Sequence, residues 1–373
     1  MREQAIVDLL WREGPLSRAA IARRSAVSKP AVSSIVARLL EAGLVVAGGR
    51  QGQPSGRPGH LLAFNGAAGF VVGADVGGTN TRAVLADLEG KPVASLREPT
   101  DRSSPDALVA QLTDVVSRLA ADAKVRGRVV EVAIATPGVV DPTRRVISLA
   151  PNLRALEAEG FLDRLESALG LPLTMLNDVN AATLGEFHHG AGAGLRDLAY
   201  INLGTGLGCG LVIHGALHHG SSGRAGELGV VPYPPGSGPT LEEALSGTGL
   251  GRRHQRLGGS GDPADAFAEA DGGREPGASL VAALLHDLAW AMATISTLID
   301  PDRIVLGGGI GLRCASRLDT LRASLTRMTG FEVDIAAAQL GDDAGLRGAV
   351  ATTLEPARSV RRWLRGGPLA DSA

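Results

Sequence analysis

Apolar residues recur at two spacings along the chain, and the two spacings predict different structures. Near the N-terminus they follow the helical period, as in Val32, Ile35 and Val36. From Ala67 onward, short continuous apolar runs alternate with amphipathic stretches such as 107–123. The pattern therefore predicts a small, mainly helical unit followed by a larger α/β unit.

The N-terminal pattern predicts three short helices followed by two strands. Ser17 and Ser28 are candidate N-caps, and Pro30 stands in the first turn of the third helix, where proline is tolerated. The predicted helices and strands cover 3–12, 18–24, the stretch between Ser28 and Gly43, 44–46 and 61–64. Three helices with a two-stranded wing predict an α+β winged helix-turn-helix.

Charge supports a nucleic-acid partner for this unit. Residues 1–66 hold nine Lys or Arg and four Asp or Glu, whereas the remainder holds 28 and 35, so the two parts carry +5 and −7. The predicted contacts to bases, phosphates and the minor groove are Ser17, Arg18, Ser28, Lys29, Ser33, Ser34, Arg38 and Arg57. A helical protein-interaction module is the alternative. Because one such unit has a small footprint, we expect a dimer on a two-fold site.

The stretch 71–87 is the first candidate for chemistry. It reads as a strand, a Gly77-Gly78-Thr79 turn and a second strand. Such a turn presents backbone N–H groups that can hold phosphate oxygens, and the Thr79 hydroxyl can add to them. Asp75 offers a carboxylate for Mg²⁺. An ordinary β-hairpin is the alternative.

The strand–glycine turn–strand pattern occurs a second time. An apolar run over 198–203 leads into 204–208 and a return strand, and a third run, 303–306, ends in 307–311. A further run delivers Asn177 and Asp178 at its C-terminal end, where ligand groups commonly lie in open α/β sheets. No GxxxxGK[ST] motif is present, which argues against a P-loop, and no GxGxxG opens a helix after the first strand. The pattern indicates two similar lobes around a nucleotide.

These motifs together resemble those of the ROK proteins, named for repressors, open reading frames and kinases. Stretches 75–80 and 203–208 resemble the two phosphate motifs, and 307–309 is similar to the adenosine-side turn. Residues 220–229 are similar to the family signature, and the winged unit followed by 56–58 resembles the repressor branch. The resemblance implies an actin-like, hexokinase-type ATPase fold with two lobes.

The resemblance also implies roles for individual residues. Nucleotide-binding positions are Asp75, Gly77, Gly78, Thr79, Gly204, Thr205, Gly206 and Gly308. Sugar-binding positions are Asn177, Asp178, Glu227 and Glu242. In the kinases of this family, the residue at the position of Asp178 is the general base for the sugar hydroxyl. An isolated Asn-Asp pair is also a common turn or helix cap.

Two departures from the family pattern weaken the kinase prediction. The family's Glu-x-Gly-His is Glu227-Leu228-Gly229-Val230 here, so the histidine is missing. The cysteine-rich zinc cluster that should follow is replaced by the proline-rich stretch 232–240, so structural zinc is not expected. His214, His218 and His219 are predicted to be surface residues.

We therefore predict a DNA-binding transcriptional regulator, a repressor, whose ROK domain senses a sugar or sugar phosphate. The alternative is an ATP-dependent sugar kinase, and only that function would require ATP and Mg²⁺. The predicted partners are double-stranded operator DNA and a second copy of the chain, as a homodimer or homotetramer. We find no signal peptide and no uncharged apolar run of about 18 residues, so we expect no membrane contact and a cytoplasmic location.

The predicted boundaries are 1–66 for the winged domain, 67–190 and 191–356 for the two lobes, and 357–373 for a tail that is disordered beyond Gly366. A C-terminal helix packing back on the first lobe is included in this prediction. Cys209 and Cys314 are predicted to be buried core residues, and the acidic stretch 262–275 is predicted to be a loop.

Overall fold

The computed structural model describes residues 2–51, 59–121, 125, 128–236 and 238–364. Arg57, the predicted minor-groove residue, lies outside them. Contacts divide the chain into two units. Unit 1 comprises Met1–Ile134, Asn152–Met175 and Ala349–Ala373, and unit 2 comprises Ala135–Pro151 and Leu176–Gly348. The predicted four-part boundaries stay a prediction.

The winged helix-turn-helix of the sequence prediction is confirmed, with one additional strand. Its elements are α1 (Arg2–Glu13), β1 (Leu16–Ser17), α2 (Arg18–Ser25), α3 (Lys29–Glu41), β2 (Val45–Gln51) and β3 (Gly59–Phe64). The strands form one sheet in the order β1-β3-β2. Ser17 caps α2, since its Oγ accepts a hydrogen bond from Ala20 N at 3.3 Å. The apolar faces of the three helices are buried, with Ile6, Ile21 and Val36 fully enclosed.

The next part of the chain forms the first large sheet. Its elements are β4 (Phe70–Val76), β5 (Asn80–Asp87), β6 (Pro92–Pro99), α4 (Pro105–Leu119), β7 (Val129–Thr136), β8 (Val139–Asp141), β9 (Val146–Ser148), α5 (Phe161–Leu169) and β10 (Leu173–Asn177). Five strands pair in the order β10-β7-β4-β5-β6, and β8 pairs with β9 separately. Strand β7 is buried along its whole length, and its residues are apolar except Glu131 and Thr136.

The remaining elements build the second large sheet and its helices. They are α6 (Asp178–His189), β11 (Leu198–Leu203), β12 (Leu207–Ile213), β13 (Ala216–Leu217), α7 (Leu241–Leu245), α8 (Gly247–Arg256), α9 (Pro263–Asp271), α10 (Gly277–Ile299), β14 (Arg303–Gly307), α11 (Gly308–Arg313), α12 (Leu318–Thr329), β15 (Ile335–Ala337), α13 (Ala344–Ala357) and α14 (Val360–Leu364). Five strands pair in the order β13-β12-β11-β14-β15.

The two large sheets repeat one topology, which confirms the duplicated pattern in the sequence. Each has an antiparallel hairpin, β4–β5 or β11–β12, whose connection is a glycine turn. In the second sheet β14 and β15 then add in parallel to β11. Each glycine turn therefore lies at the same place in its sheet, where it joins the two strands of the antiparallel hairpin.

Helix α10 is the central helix of the second core. By its length and apolar composition alone, this helix could cross a membrane. Its buried face, including Leu284, Leu288 and Met292, instead packs in the cluster with strands β11, β12 and β14. Both cysteines are buried, as predicted, and Cys314 belongs to this same cluster.

The prediction that residues 262–275 form a loop is wrong, because helix α9 occupies Pro263–Asp271. Asp262 Oδ1 accepts a hydrogen bond from Ala264 N at 2.7 Å and caps the helix. Pro263 then stands at its first position, where the missing N–H has no consequence. Ala266 and Phe267 are buried, and this apolar side fixes the helix despite its acidic exposed side.

Candidate functional site

The turn between β4 and β5 is the first candidate phosphate-binding element. Gly77 N donates to Asn80 O at 2.9 Å, and Thr100 Oγ1 donates to Gly77 O at 2.7 Å. A Cβ atom at Gly78 would lie only 3.1 Å from Asn152 O, so this close approach favours glycine. Thr79 is exposed at the tip. Hydrogen bonds thus fix the backbone of the turn at Gly77, while Thr79 at its tip is exposed.

Asp75 has a partner that the sequence analysis did not anticipate. It pairs across the hairpin with Arg82, whose Nη2 lies 2.5 Å from Asp75 Oδ2. The two side chains are half-buried, which favours this ion pair over a fully solvated one. A Mg²⁺ ion at Asp75 would therefore share the carboxylate with a guanidinium group.

The second glycine turn, between β11 and β12, is fixed by α8. Gly204 N donates to Gly206 O at 3.0 Å within the turn, while Gly247 N donates to Gly204 O at 2.8 Å. Thr248 Oγ1 donates to Thr205 O at 2.8 Å. Nearby Gly308 has a φ of +76° and a Cβ there would overlap Leu203 O, so glycine is required.

A cleft of about 720 Å³ adjoins this second turn. Its walls include Thr205, Thr248, Arg252, Gly309 and Arg313. The volume lies in the range of small-molecule sites, which is about 300–1,000 Å³. A turn with open space at Gly204 and Gly309 and two nearby guanidinium groups has the chemistry that nucleotide phosphates require. The residues present fit a nucleotide.

Asn177 has a structural role that does not depend on any ligand. It is the N-cap of α6, and its Oδ1 accepts hydrogen bonds from Val179 N at 2.9 Å and Asn180 N at 3.1 Å. Its Nδ2 donates to Gly138 O at 2.9 Å. One N–H of the amide is left for a ligand. Asp178 follows as the first helical residue, exposed, where the helix dipole favours a negative charge.

Glu227 and Glu242 form the second part of the predicted sugar site. Glu242 Oε2 accepts a hydrogen bond from Leu207 N at 3.0 Å, which fixes the side chain and leaves its second oxygen available. Burial raises the pKa of Glu227, and the charge of nearby Glu242 raises it further. Within the described part of the chain, neither carboxylate has an ion-pair partner.

Strand β12 contacts the segments of the chain that carry these four residues. A Cβ at Gly208 would lie 2.5 Å from Val179 Cγ2, so the start of α6 packs directly on β12. A Cβ at Gly226 would overlap Cys209 O, which places the chain before Glu227 against the same strand. Leu207 N donates a hydrogen bond to Glu242. The segments that carry Asn177, Asp178, Glu227 and Glu242 therefore each meet one of the first three residues of β12.

The loop that follows Glu227 is anchored by an aromatic side chain. Tyr233 Oη donates to Asp287 Oδ1 at 2.9 Å, and its ring lies 4.8 Å from that of Trp290. Val230, at the position of the family's histidine, is 62% exposed. Among the residues that the structure describes, no group of three or more His, Cys, Asp or Glu is placed to hold a metal ion.

The predicted DNA-contacting residues lie on the open side of α3. Ser28, Lys29, Ser33, Ser34 and Arg38 are all exposed, opposite the buried stripe that contains Val32 and Val36. Ser28 makes no capping hydrogen bond with its side chain. The exposed face thus presents hydroxyls and a lysine to a partner, which suits readout in a major groove.

Two of the predicted contacts, Arg38 and Ser17, have partners within the chain. Arg38 Nη2 lies 2.6 Å from Glu3 Oε1 in α1. The Ser17 hydroxyl accepts the capping bond of α2. Arg18 is exposed. Arg38 must leave its carboxylate partner in order to contact a phosphate, whereas Lys29 needs no such change.

Comparison with known proteins agrees with this two-part organisation. The sequence model of the ROK family matches residues 71–355, and that of the MarR family matches residues 6–53. A glucokinase of Streptomyces coelicolor is 32% identical over 318 residues, covering 77% of this chain and 98% of that protein.

The chain is also similar to a curated repressor and to a solved structure. The xylose repressor of Bacillus spizizenii is 26% identical over 234 residues, which is 61% of this chain and 59% of that protein. The crystal structure of a ROK family transcriptional regulator, a homologue of the E. coli MLC protein, superposes with a TM-score of 0.82. It covers 98% of both chains at 20% identity, so it supports the fold over the whole length.

Proposed function

The chain belongs to the ROK family, and on this basis we propose that it is a transcriptional repressor whose DNA affinity is controlled by a sugar. One observation carries the proposal: a winged domain with an exposed polar α3 face shares a chain with predicted sugar-binding residues whose segments contact β12. Hydroxyl-rich ligands suit carboxylate and amide acceptors. Double-stranded DNA suits the +5 charge of residues 1–66.

The charge of the sugar site bears on the class of effector. Three of the four predicted sugar-binding residues, Asp178, Glu227 and Glu242, carry carboxyl groups, and burial already disfavours ionisation of Glu227. A phosphate group placed among them would be repelled. A neutral sugar therefore suits this cluster better than a sugar phosphate. Glucose and xylose are the first candidates, because relatives are a glucokinase and a xylose repressor.

Assembly and location form part of the proposal. A single winged domain contacts a small stretch of duplex, so a homodimer on a two-fold operator supplies the affinity that regulation needs. Binding to chromosomal DNA would require a location in the same compartment as the DNA, and we propose the cytoplasm.

A sugar kinase is the second candidate function, and the glycine turns favour it. The turn at 204–206 and the cleft beside it fit ATP, which would supply the phosphoryl group. Asp178 would then accept the proton of the sugar hydroxyl. The exposed Val230, in place of a histidine, removes one polar contact from the site.

Two assays separate the candidates. For the regulator, we expect salt-sensitive binding to a duplex from upstream of its own gene, changed by glucose or xylose but not by glucose 6-phosphate. For the kinase, we expect ADP release in the presence of sugar, abolished by Asp178→Asn. ADP release without any DNA binding would refute the repressor proposal.

A further inference from the structure

Helix α13 passes from unit 2 into unit 1, and its first half packs against α6. A Cβ at Gly185 would overlap Ala344 O, and a Cβ at Gly348 would overlap Ala181 O. The two helices therefore touch backbone to backbone, with no side chain between them. Helix α6 is the one whose N-terminus carries Asn177 and Asp178. Close contacts of this kind leave little room for one helix to shift alone.

The second half of α13 packs on β4 and leads to the winged domain. A Cβ at Gly73 would lie 2.7 Å from Val350 Cγ2, which places the helix directly on the first large sheet. One residue beyond its end, Arg358 is 9% exposed, and its guanidinium carbon lies 3.6 Å from the centre of the Trp11 ring in α1. A cation over an indole face is a favourable contact.

Gln4 of α1 completes this junction. Its Nε2 donates to Arg358 O at 3.4 Å, and Val360 N donates to its Oε1 at 2.9 Å. Helix α14 then returns to the first sheet, where Arg362 Nη2 lies 2.7 Å from Glu131 Oε2 and the Trp363 ring covers Gly69. The segment 358–363 thus holds α1 on one side and the sheet on the other.

The burial of Arg358 makes the junction sensitive to small movements of the surrounding residues. Its Nη1 is buried without a hydrogen-bond partner among the described residues. Burial lowers the pKa of Arg358 to about 10, so the group is still charged at neutral pH. An incompletely satisfied buried cation is costly, and small movements of its surroundings change that cost.

We propose that α13 carries the effect of sugar binding from the N-terminus of α6 to the winged domain, and that Arg358 is the positioning residue at the winged end. The proposal rests on the proposed function, because it assumes a sugar at the β12 cluster and DNA on α3. A sugar that binds unequally to two arrangements of α6 shifts α13 with it, and Arg358 with Gln4 then shifts α1.

The test is a thermodynamic cycle on the full-length chain. DNA dissociation constants are measured by fluorescence anisotropy, with and without glucose or xylose, on a duplex selected by the wild-type protein from a random pool. Sugar affinity is measured separately by calorimetry. The variants are Arg358→Ala and, as a matched control on the same segment, exposed Arg361→Ala.

Allosteric couplings are ordinarily about 5- to 150-fold in affinity, and we expect the wild type and Arg361→Ala to lie in that range. Arg358→Ala should bind sugar and DNA separately, while the ratio of DNA affinities with and without sugar falls to near one. A wild-type ratio in Arg358→Ala would overturn this inference alone. If neither sugar changes the DNA affinity of the wild type, both this inference and the proposed function are overturned. Should Arg358→Ala fail to fold, the ratio in Gln4→Ala decides in the same way.

Discussion

Replacing Asn177 with alanine should destabilise the protein by about 2 kcal/mol, because the side chain supports two structural elements. Its Oδ1 caps α6 through Val179 N and Asn180 N, and loss of a cap costs about 1 kcal/mol. Its Nδ2 donates to Gly138 O, and loss of that bond costs about 1 kcal/mol more. The free energy of unfolding is measured by urea unfolding followed by circular dichroism. Wild type and variant are compared when the dependence of this free energy on urea concentration is the same for both.

Two control variants separate these contributions. Asn177→Ser keeps a capping oxygen and loses the amide that donates to Gly138 O, so it should cost about 1 kcal/mol. Ser104→Ala removes an unrelated cap in α4, where Ser104 Oγ accepts from Ala107 N at 3.1 Å, and should also cost about 1 kcal/mol. The reasoning is refuted if Asn177→Ala is as stable as the wild type, or if Asn177→Ser is as unstable as Asn177→Ala.

Two further predictions concern charge. In the folded state burial raises the pKa of Glu227, so its contribution to stability is full below about pH 4.5 and is lost as the pH rises through the folded-state value. The melting temperature of the wild type relative to that of Glu227→Gln should therefore fall between pH 4 and pH 8, and a constant difference would contradict this. Lys29→Ala should weaken binding to every duplex and lower the slope of log affinity against log salt by about one. An unchanged slope would show that Lys29 contacts no phosphate.

Local periodicity predicted most of the fold. The helical spacing in residues 3–42 gave α1, α2 and α3, and the apolar runs before each glycine turn gave β4 and β11. Helix α9 was missed because three of its nine residues are Asp or Glu, and its apolar side became visible only where Phe267 meets the core. The short strand Leu16–Ser17 was missed since two residues carry no periodic signal.

The candidate site was predicted less completely than the fold. Motif spacing predicted Asn177, Glu227 and Glu242 as sugar-binding residues, and the structure shows one of them, Glu242, bonded to strand β12. Spacing could not find Arg82 beside Asp75, because that pair is set by cross-strand register. The contact of Arg358 with Trp11 joins residues that are far apart in sequence, so only the folded chain could reveal it.

The most direct test of the account is a titration of glucose or xylose into the preformed complex of the protein with its upstream duplex. The fluorescence anisotropy of the labelled DNA is followed without ATP. We predict that a neutral sugar changes the DNA dissociation constant by about 5- to 150-fold and that Glu242→Gln weakens this response. A DNA affinity that stays constant at saturating sugar, while ADP is released once ATP is added, would contradict the account and establish a kinase.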